Sequence, residues 1–328
     1  MKVIDIHTHW WKEIGWFAPG FQWDIAVIAA KSTWPYGDPN EMFKTGAIGS
    51  EDYLSLDADG SRLIQCAKDA DIDVSVIVPN DWGGGYNDDA AVSIEEINKV
   101  SCDLTRKYPD RVYSCCGVDP RRPNAVKLFE KAVTEWGAKG LKLHPANGFY
   151  PNEPTCYPIY QKAIDLGVPV IIHTGYTCPP RLHSVTTEPI YIDDVAVDFP
   201  DLTIIIAHTG IQTRSSYSWW EEAMGIAQSK FNVHLDLTGW NLQVVGLTSN
   251  IPELLRMLRV QCDIVGAHRI LFGTDLPGYQ LPGDKEETTK FVKLLKNLVE
   301  VGKEHGIVFS QEEAELIAHG NAERLLSI

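Results

Sequence analysis

The sequence has no apolar run approaching the roughly 20 residues a membrane-spanning helix needs. Cysteine is sparse. Its seven residues, at 66, 102, 115, 116, 156, 178 and 262, form no CxxC pair and follow no regular spacing. This argues against a disulfide framework and a thiolate zinc site, and points to small buried side chains in a reducing compartment. Basic residues are outnumbered, 29 Lys and Arg against 44 Asp and Glu, for a formal charge of -15. A nucleic-acid backbone would meet that field head on, so no nucleic-acid partner is expected. The opening Met1-Lys2-Val3-Ile4-Asp5 leaves no room for a charged leader and apolar core, which makes the cytoplasm the default location. Linkers, low-complexity tracts and short repeats are missing too, so residues 1–328 are read as a single domain.

What the chain does have is a hydrophobic content of 44% and an ordered alternation. Short β-branched runs, Val3–His7, Val74–Pro79, Val112–Val118, Gly140–His144, Val168–His173, Leu202–His208, Val233–Leu237 and Arg269–Gly273, are separated by stretches with helical spacing of apolar residues. Such alternation marks βα units, and eight of them close a parallel barrel. Several runs, such as Thr203-Ile204-Ile205-Ile206-Ala207, are apolar throughout, as strands covered on both faces must be. Ser93-Ile94-Glu95-Glu96 and Ser310-Gln311-Glu312-Glu313 carry the reciprocal capping pattern of helix starts. Further helices are expected over 59–70, 125–136, 157–166, 219–229, 252–258 and 286–305. The expected fold is therefore a (β/α)8 TIM barrel. Two additions stand out: a Trp-, Gly- and Pro-rich stretch over about 10–56, too long for an ordinary connection, and an extra C-terminal helix over 312–326, expected to pack outside the barrel.

Metal-binding side chains appear where apolar runs stop. His7 and His9 end the first run, His173 the fifth and His208 the sixth, and Asp275 follows the eighth. Residues two apart on a strand point the same way, so His7 and His9 can grip one ion. In a parallel barrel all these endings meet at the carboxyl mouth, where barrel enzymes keep their chemistry. Neutral imidazoles with one carboxylate suit one divalent cation, Zn²⁺ first, with Mn²⁺ or Fe²⁺ as alternatives, and leave a position open for water. His144 ends the fourth run, two residues after Lys142, and both would face inward together.

The elements Asp5-Ile6-His7-Thr8-His9, Gly140-Leu141-Lys142-Leu143-His144-Pro145, His173-Thr174-Gly175, His208-Thr209-Gly210, Gly273-Thr274-Asp275-Leu276-Pro277 and Gly320-Asn321-Ala322-Glu323-Arg324-Leu325-Leu326 together resemble the amidohydrolase superfamily. The likeness is to the branch containing aminocarboxymuconate semialdehyde decarboxylase, aromatic-acid decarboxylases and ring-opening hydrolases and hydratases, and it spans essentially the whole chain. The resemblance implies His7, His9, His173 and Asp275 as ligands of one metal, with His208 beside the metal water or substrate and both His208 and Asp275 in proton transfer. It also implies a hydrolase or carboxy-lyase acting on a small carboxylated aromatic, dienoic or lactone substrate, and frequent dimerisation. In binuclear relatives a carboxylated lysine bridges two metals, a role Lys142 would take with His173 and His208. A barrel that binds metal without catalysis is a further alternative.

Candidate anchors for a substrate carboxylate are Lys142, Arg181 and Arg214, since guanidinium groups grip carboxylates bidentately. Trp10, Trp11, Trp82, Tyr176 and Trp240 all follow strand endings and are candidates for the walls of an aromatic pocket.

Overall fold

A computed structural model describes residues 1–31, 35–44, 55–211, 217–242, 245–276 and 284–328. Its parallel strands are β1 (Ile4–Thr8), β2 (Val74–Ile77), β3 (Val112–Ser114), β4 (Cys116–Gly117), β5 (Leu141–Leu143), β6 (Val170–Ile172), β7 (Ile204–Ile206), β8 (Val233–Asp236) and β9 (Ile270–Leu271). The third expected run is divided at Cys115. There the Cys115 amide donates to Ile77 O on one side while the Cys116 amide donates to Gly140 O on the other. One stave thus joins the sheet β1-β2-β3 to the sheet β4-β5-β6-β7-β8-β9. The circuit is completed between first and last strands, where Ile6 N bonds Phe272 O, Asp275 N bonds His7 O and His9 N bonds Leu276 O. The architecture is a (β/α)8 barrel.

The strands are buried on both faces, as their composition requires. Ile4, Ile6, Val74, Val76, Ile171, Ile205 and Leu271 fill one cluster inside the ring. The alternate residues, such as Leu141, Val170, Ile204 and Leu235, pack outward against the helices. The helices at Ile94–Lys107, Ala125–Thr134, Tyr157–Leu166 and Tyr217–Ser229 match the expected spans closely. Others differ. The stretch expected as one helix over 286–305 is two, Asp284–Lys296 and Leu298–Glu304, and Ile190–Asp198 forms a helix where none was expected. The C-terminal segment is not simply outside the barrel. Ala322 and Leu326 join the inner cluster, while Lys2 and Lys139, which precede β1 and β5, bond Glu323 and Ser327. It therefore crosses the amino mouth. Its capping box at Ser310 and Glu313 is formed on both sides.

The insertion after β1 contains the helix Pro19–Lys31 and contributes Trp10, Trp11, Trp16, Phe17 and Phe21 to a second apolar cluster with Trp82 and Leu182. That cluster lies at the carboxyl mouth, against the histidines. All seven cysteines are free, and no helix among the described residues is long and apolar enough to cross a membrane.

Candidate metal centre

A register irregularity in β1 between Asp5 and Thr8 turns His7 and His9 toward the mouth. Gly273 on the neighbouring last stave leaves room for His7, because a Cβ there would collide with Thr238 Oγ1 and stand 3.1 Å from the His7 Cβ. Ligand atoms of His7, His9 and Asp275 consequently lie within 4.8 Å of one another. His9 Nε2 is 2.9 Å from Asp275 Oδ1, and His7 Nε2 is 3.7 Å from the same oxygen.

The hydrogen bonds fix where each imidazole keeps its lone pair. His7 Nδ1 donates to Asp236 Oδ2 (3.1 Å), and His9 Nδ1 donates to Val78 O (3.1 Å). Both Nε2 atoms are then acceptors facing the carboxylate. His208 Nδ1 donates to Thr238 O (3.1 Å), so its Nε2 accepts from His173 Nδ1 (3.1 Å). That leaves the His173 Nε2 lone pair, which is buried and has no partner. Lone pairs cannot face a carboxylate at hydrogen-bond distance with nothing between them. A proton or a cation is required there. The Lys142 ammonium already stands as a cation 2.9 Å from His7 Nε2. His7, His9 and Asp275 thus fit a divalent ion, and the unpartnered His173 Nε2 is a further buried donor nitrogen.

Electrostatics agree with that donor set. Burial pushes His7, His144 and His173 well below the ordinary imidazole value, assisted by Lys142 at the first two and by His144 at the third. Burial likewise takes His208 down to about 4. Neutral imidazoles are what a metal needs. Burial lowers Lys142 to about 8, opposed by the charges of Asp236 and Asp275. At Asp275 burial works to raise the pKa, but the His9 hydrogen bond and the surrounding histidines outweigh it and hold the carboxyl below its usual range.

Three residues of the centre adopt left-handed backbone: His208 (φ 63°), Thr209 (φ 47°) and Asp275 (φ 72°). Each such residue costs on the order of 1–3 kcal/mol unless its surroundings enforce it. Asp236 enforces the first pair. Its Oδ1 accepts from His208 N (2.6 Å) and Thr238 N (3.0 Å), and its backbone oxygen accepts from Thr209 Oγ1. Trp240 adds a bond from Nε1 to His208 O. Neither Asp236 nor Asp5 was singled out from the sequence as a site residue, although Asp236 is an acid one residue before the end of the apolar seventh run, Val233–Leu237. An acid in that position was the signal.

The remaining expected residues divide. Nine rings close a circuit around the mouth: His9, Trp11, Phe17, Phe21, Trp82, His144, His173, His208 and His7. Trp11 stacks on His9 at 5.6 Å and Trp82 meets His144 edge-on at 4.8 Å. Trp10 is turned away, packing on Trp16 and donating to Asp57 O. Tyr176 stacks on Trp219 at 4.5 Å. Arg181 is engaged elsewhere: its Nε donates to the buried Asp24 (2.7 Å), and its guanidinium lies over the Tyr86 ring. Arg214 lies outside the described residues.

A parallel barrel with a cation-binding cluster at its carboxyl mouth defines a metal-dependent barrel enzyme. The chain belongs to the amidohydrolase family, whose model matches residues 4–328. It is 23% identical to a 2-keto-4-carboxy-3-hexenedioate hydratase of Sphingobium sp. (strain NBRC 103272 / SYK-6), over 99% of this chain and 96% of that one. Among solved structures it resembles an uncharacterized TIM-barrel protein of Bordetella bronchiseptica (22% identity, TM-score 0.64, covering 100% and 99% of the two chains). It also resembles the 5-carboxyvanillate decarboxylase of Novosphingobium aromaticivorans DSM 12444 complexed with manganese and 4-hydroxy-3-methoxy-5-nitrobenzoic acid (15% identity, TM-score 0.66, covering 100% and 96%).

Proposed function

We propose that the protein is a metal-dependent lyase that decarboxylates or hydrates a small, carboxylated aromatic or dienoic acid. The observation that carries this reading is the convergence of the His7 and His9 lone pairs with the Asp275 carboxylate, with the unpartnered His173 Nε2 taken as the fourth donor. The full-length likeness to a hydratase supports lyase over hydrolase chemistry. Zn²⁺ or Mn²⁺ would be held by those four residues, and when bound it supplies Lewis acidity toward a substrate oxygen or a water. Lys142 offers the positive charge for a substrate carboxylate. His208, neutral at pH 7, accepts or returns a proton at Nε2 when His173 Nδ1 gives up its hydrogen bond to that nitrogen, and Asp275 is the second group able to carry one. Trp11 and Trp82 wall the mouth and favour a planar substrate.

One observation favours a second reading. Lys142 is buried beside His7 with its amine lowered to about 8, a state in which a neutral fraction can take up CO₂. A carboxylated Lys142 would make the centre binuclear, with His173 and His208 serving a second ion.

The deciding experiment loads the protein with Zn²⁺ or Mn²⁺ and assays hydroxybenzoates, carboxymuconates, unsaturated keto acids and lactones for CO₂ release, loss of diene absorbance and ring opening. Turnover of a conjugated acid, abolished by chelator, is expected. Turnover confined to lactones or amides would overturn the lyase reading.

A further inference from the structure

Asp5 belongs to the first motif yet does not face the metal centre. It lies behind β1 with Thr8, Ser75 and Thr274, lining a small cavity against Leu63, Cys66 and Ala67 of the helix Ser61–Asp69 and against Ala70, which caps it. Only 1% of it is exposed. Its Oδ1 accepts from His7 N (3.1 Å) and Thr274 N (3.0 Å), and its Oδ2 accepts from Thr274 Oγ1. Thr274 Oγ1 in turn accepts from Leu276 N (3.1 Å). One carboxylate thus grips both neighbours of the strained Asp275, Thr274 directly and Leu276 through the hydroxyl. It also grips the amide of His7, whose carbonyl receives the Asp275 amide at 2.9 Å. Asp236 acts more directly at His208, where it holds the left-handed residue itself by its amide.

We propose that Asp5 is a positioning residue: from behind the strand it holds Thr274 and His7 in one register, and so fixes the left-handed backbone that aims the Asp275 carboxylate at His9. Its action on metal binding rests on the metal-centre reading given above. Its action on the backbone does not. A buried carboxylate at this place would otherwise be a costly way to join two strands already joined by backbone bonds. The bonds to Thr274 give it a task that the backbone bonds Asp275 N to His7 O and His9 N to Leu276 O leave undone, since the Thr274 bonds hold the residue that leads into the left-handed Asp275.

The test compares Asp5→Asn, Thr274→Val and Thr274→Ser with Asp73→Asn in two measurements. Asp73 is the control because it holds the other end of the same strand, accepting from Val3 N at 2.8 Å. The first measurement is amide hydrogen exchange of segment 270–276 in metal-free protein. The second is Mn²⁺ affinity by competition with a chelator. Asp5→Asn and Thr274→Val are expected to speed exchange in that segment and weaken Mn²⁺ binding about 10- to 100-fold. The double variant should be no worse than either single one, because both remove the same link. Thr274→Ser and Asp73→Asn should do neither. Unchanged exchange in both Asp5→Asn and Thr274→Val overturns the proposal, and so does an equal effect of Asp73→Asn. Should Asp5→Asn fail to fold, Thr274→Val decides, since it keeps the carboxylate. If the wild type takes up no Mn²⁺, the metal-centre reading fails, while the exchange measurement still judges Asp5.

Discussion

The floor and the wall of the mouth are built on opposite principles. The floor, made by the ends of β1, β6, β7, β8 and β9, is polar, and His7, His9 and Asp5 are tied there by hydrogen bonds to residues more than 200 positions away in sequence. The wall, supplied by Trp11, Phe17, Phe21 and Trp82, is apolar and held by ring packing. A single buried acid anchors it: Asp24 accepts from Arg181 Nε, Arg181 N and Tyr86 Oη. Directional bonds set positions to a fraction of an ångström, as proton transfer and metal binding demand. Packing sets shape, which is what selection of a flat substrate demands.

Changes to the floor should therefore remove chemistry without loosening the wall, and changes to the wall should do the reverse. The largest effect is expected for His208→Gln, with kcat reduced about 10²- to 10⁴-fold and metal content unchanged. Retained turnover would take His208 out of the proton-transfer role. Next, Asp24→Ala should destabilise the protein by about 1–3 kcal/mol in denaturant unfolding, the half-exposed Arg181 being rehydrated while Tyr86 loses its acceptor. It should raise KM more than it lowers kcat. A kcat loss as large as that of His208→Gln would erase the distinction between floor and wall.

The smallest effect is in pH dependence. Burial depresses His7, His144, His173 and His208 below their unfolded value of 6.5, the last to about 4. The unfolded chain then binds more protons than the folded one in this range, so stability from these groups is full above pH 6.5 and lost as pH falls toward about 4. His234, also lowered to about 4 by burial, adds to them. Asp5, raised by burial to about 8 and so acting from about pH 8 downward, and Asp236, raised by burial, oppose this, but they are two groups against five. Metal-free protein should lose stability steadily from pH 6.5 to 4, and Asp24→Ala should leave that slope unchanged. A slope altered by Asp24→Ala would show wall and floor to be coupled.

The two regions also differ in how far the sequence discloses them. The barrel and its histidines were legible because short apolar β-branched runs and their abrupt polar endings are local patterns. His7, His9 and Asp275 come together as those endings implied. His173 meets His208 through Nδ1 and keeps Nε2 without a partner, a choice made by the hydrogen bond that His208 Nδ1 donates to Thr238 O, which no local pattern encodes. Arg181 read as a substrate anchor because an arginine after a strand ending has that chemistry. Its partner Asp24 lies 157 residues away, in a helix, Pro19–Lys31, that was not expected within the long insertion. Trp10 and Trp11 are adjacent and chemically alike, and only the path of the insertion decides that Trp11 reaches His9 while Trp10 packs on Trp16. Asp5 was visible as a motif letter, but its work behind the strand depends on the register between the first and last staves.

The central claim is that His7, His9, His173 and Asp275 share one cation. Metal analysis of protein purified without chelator tests it most directly, with His9→Ala measured in parallel. The account predicts about one equivalent of zinc or manganese per wild-type chain and almost none in the variant. Two equivalents with added mass on the Lys142 amine, or metal fully retained by His9→Ala, would contradict it.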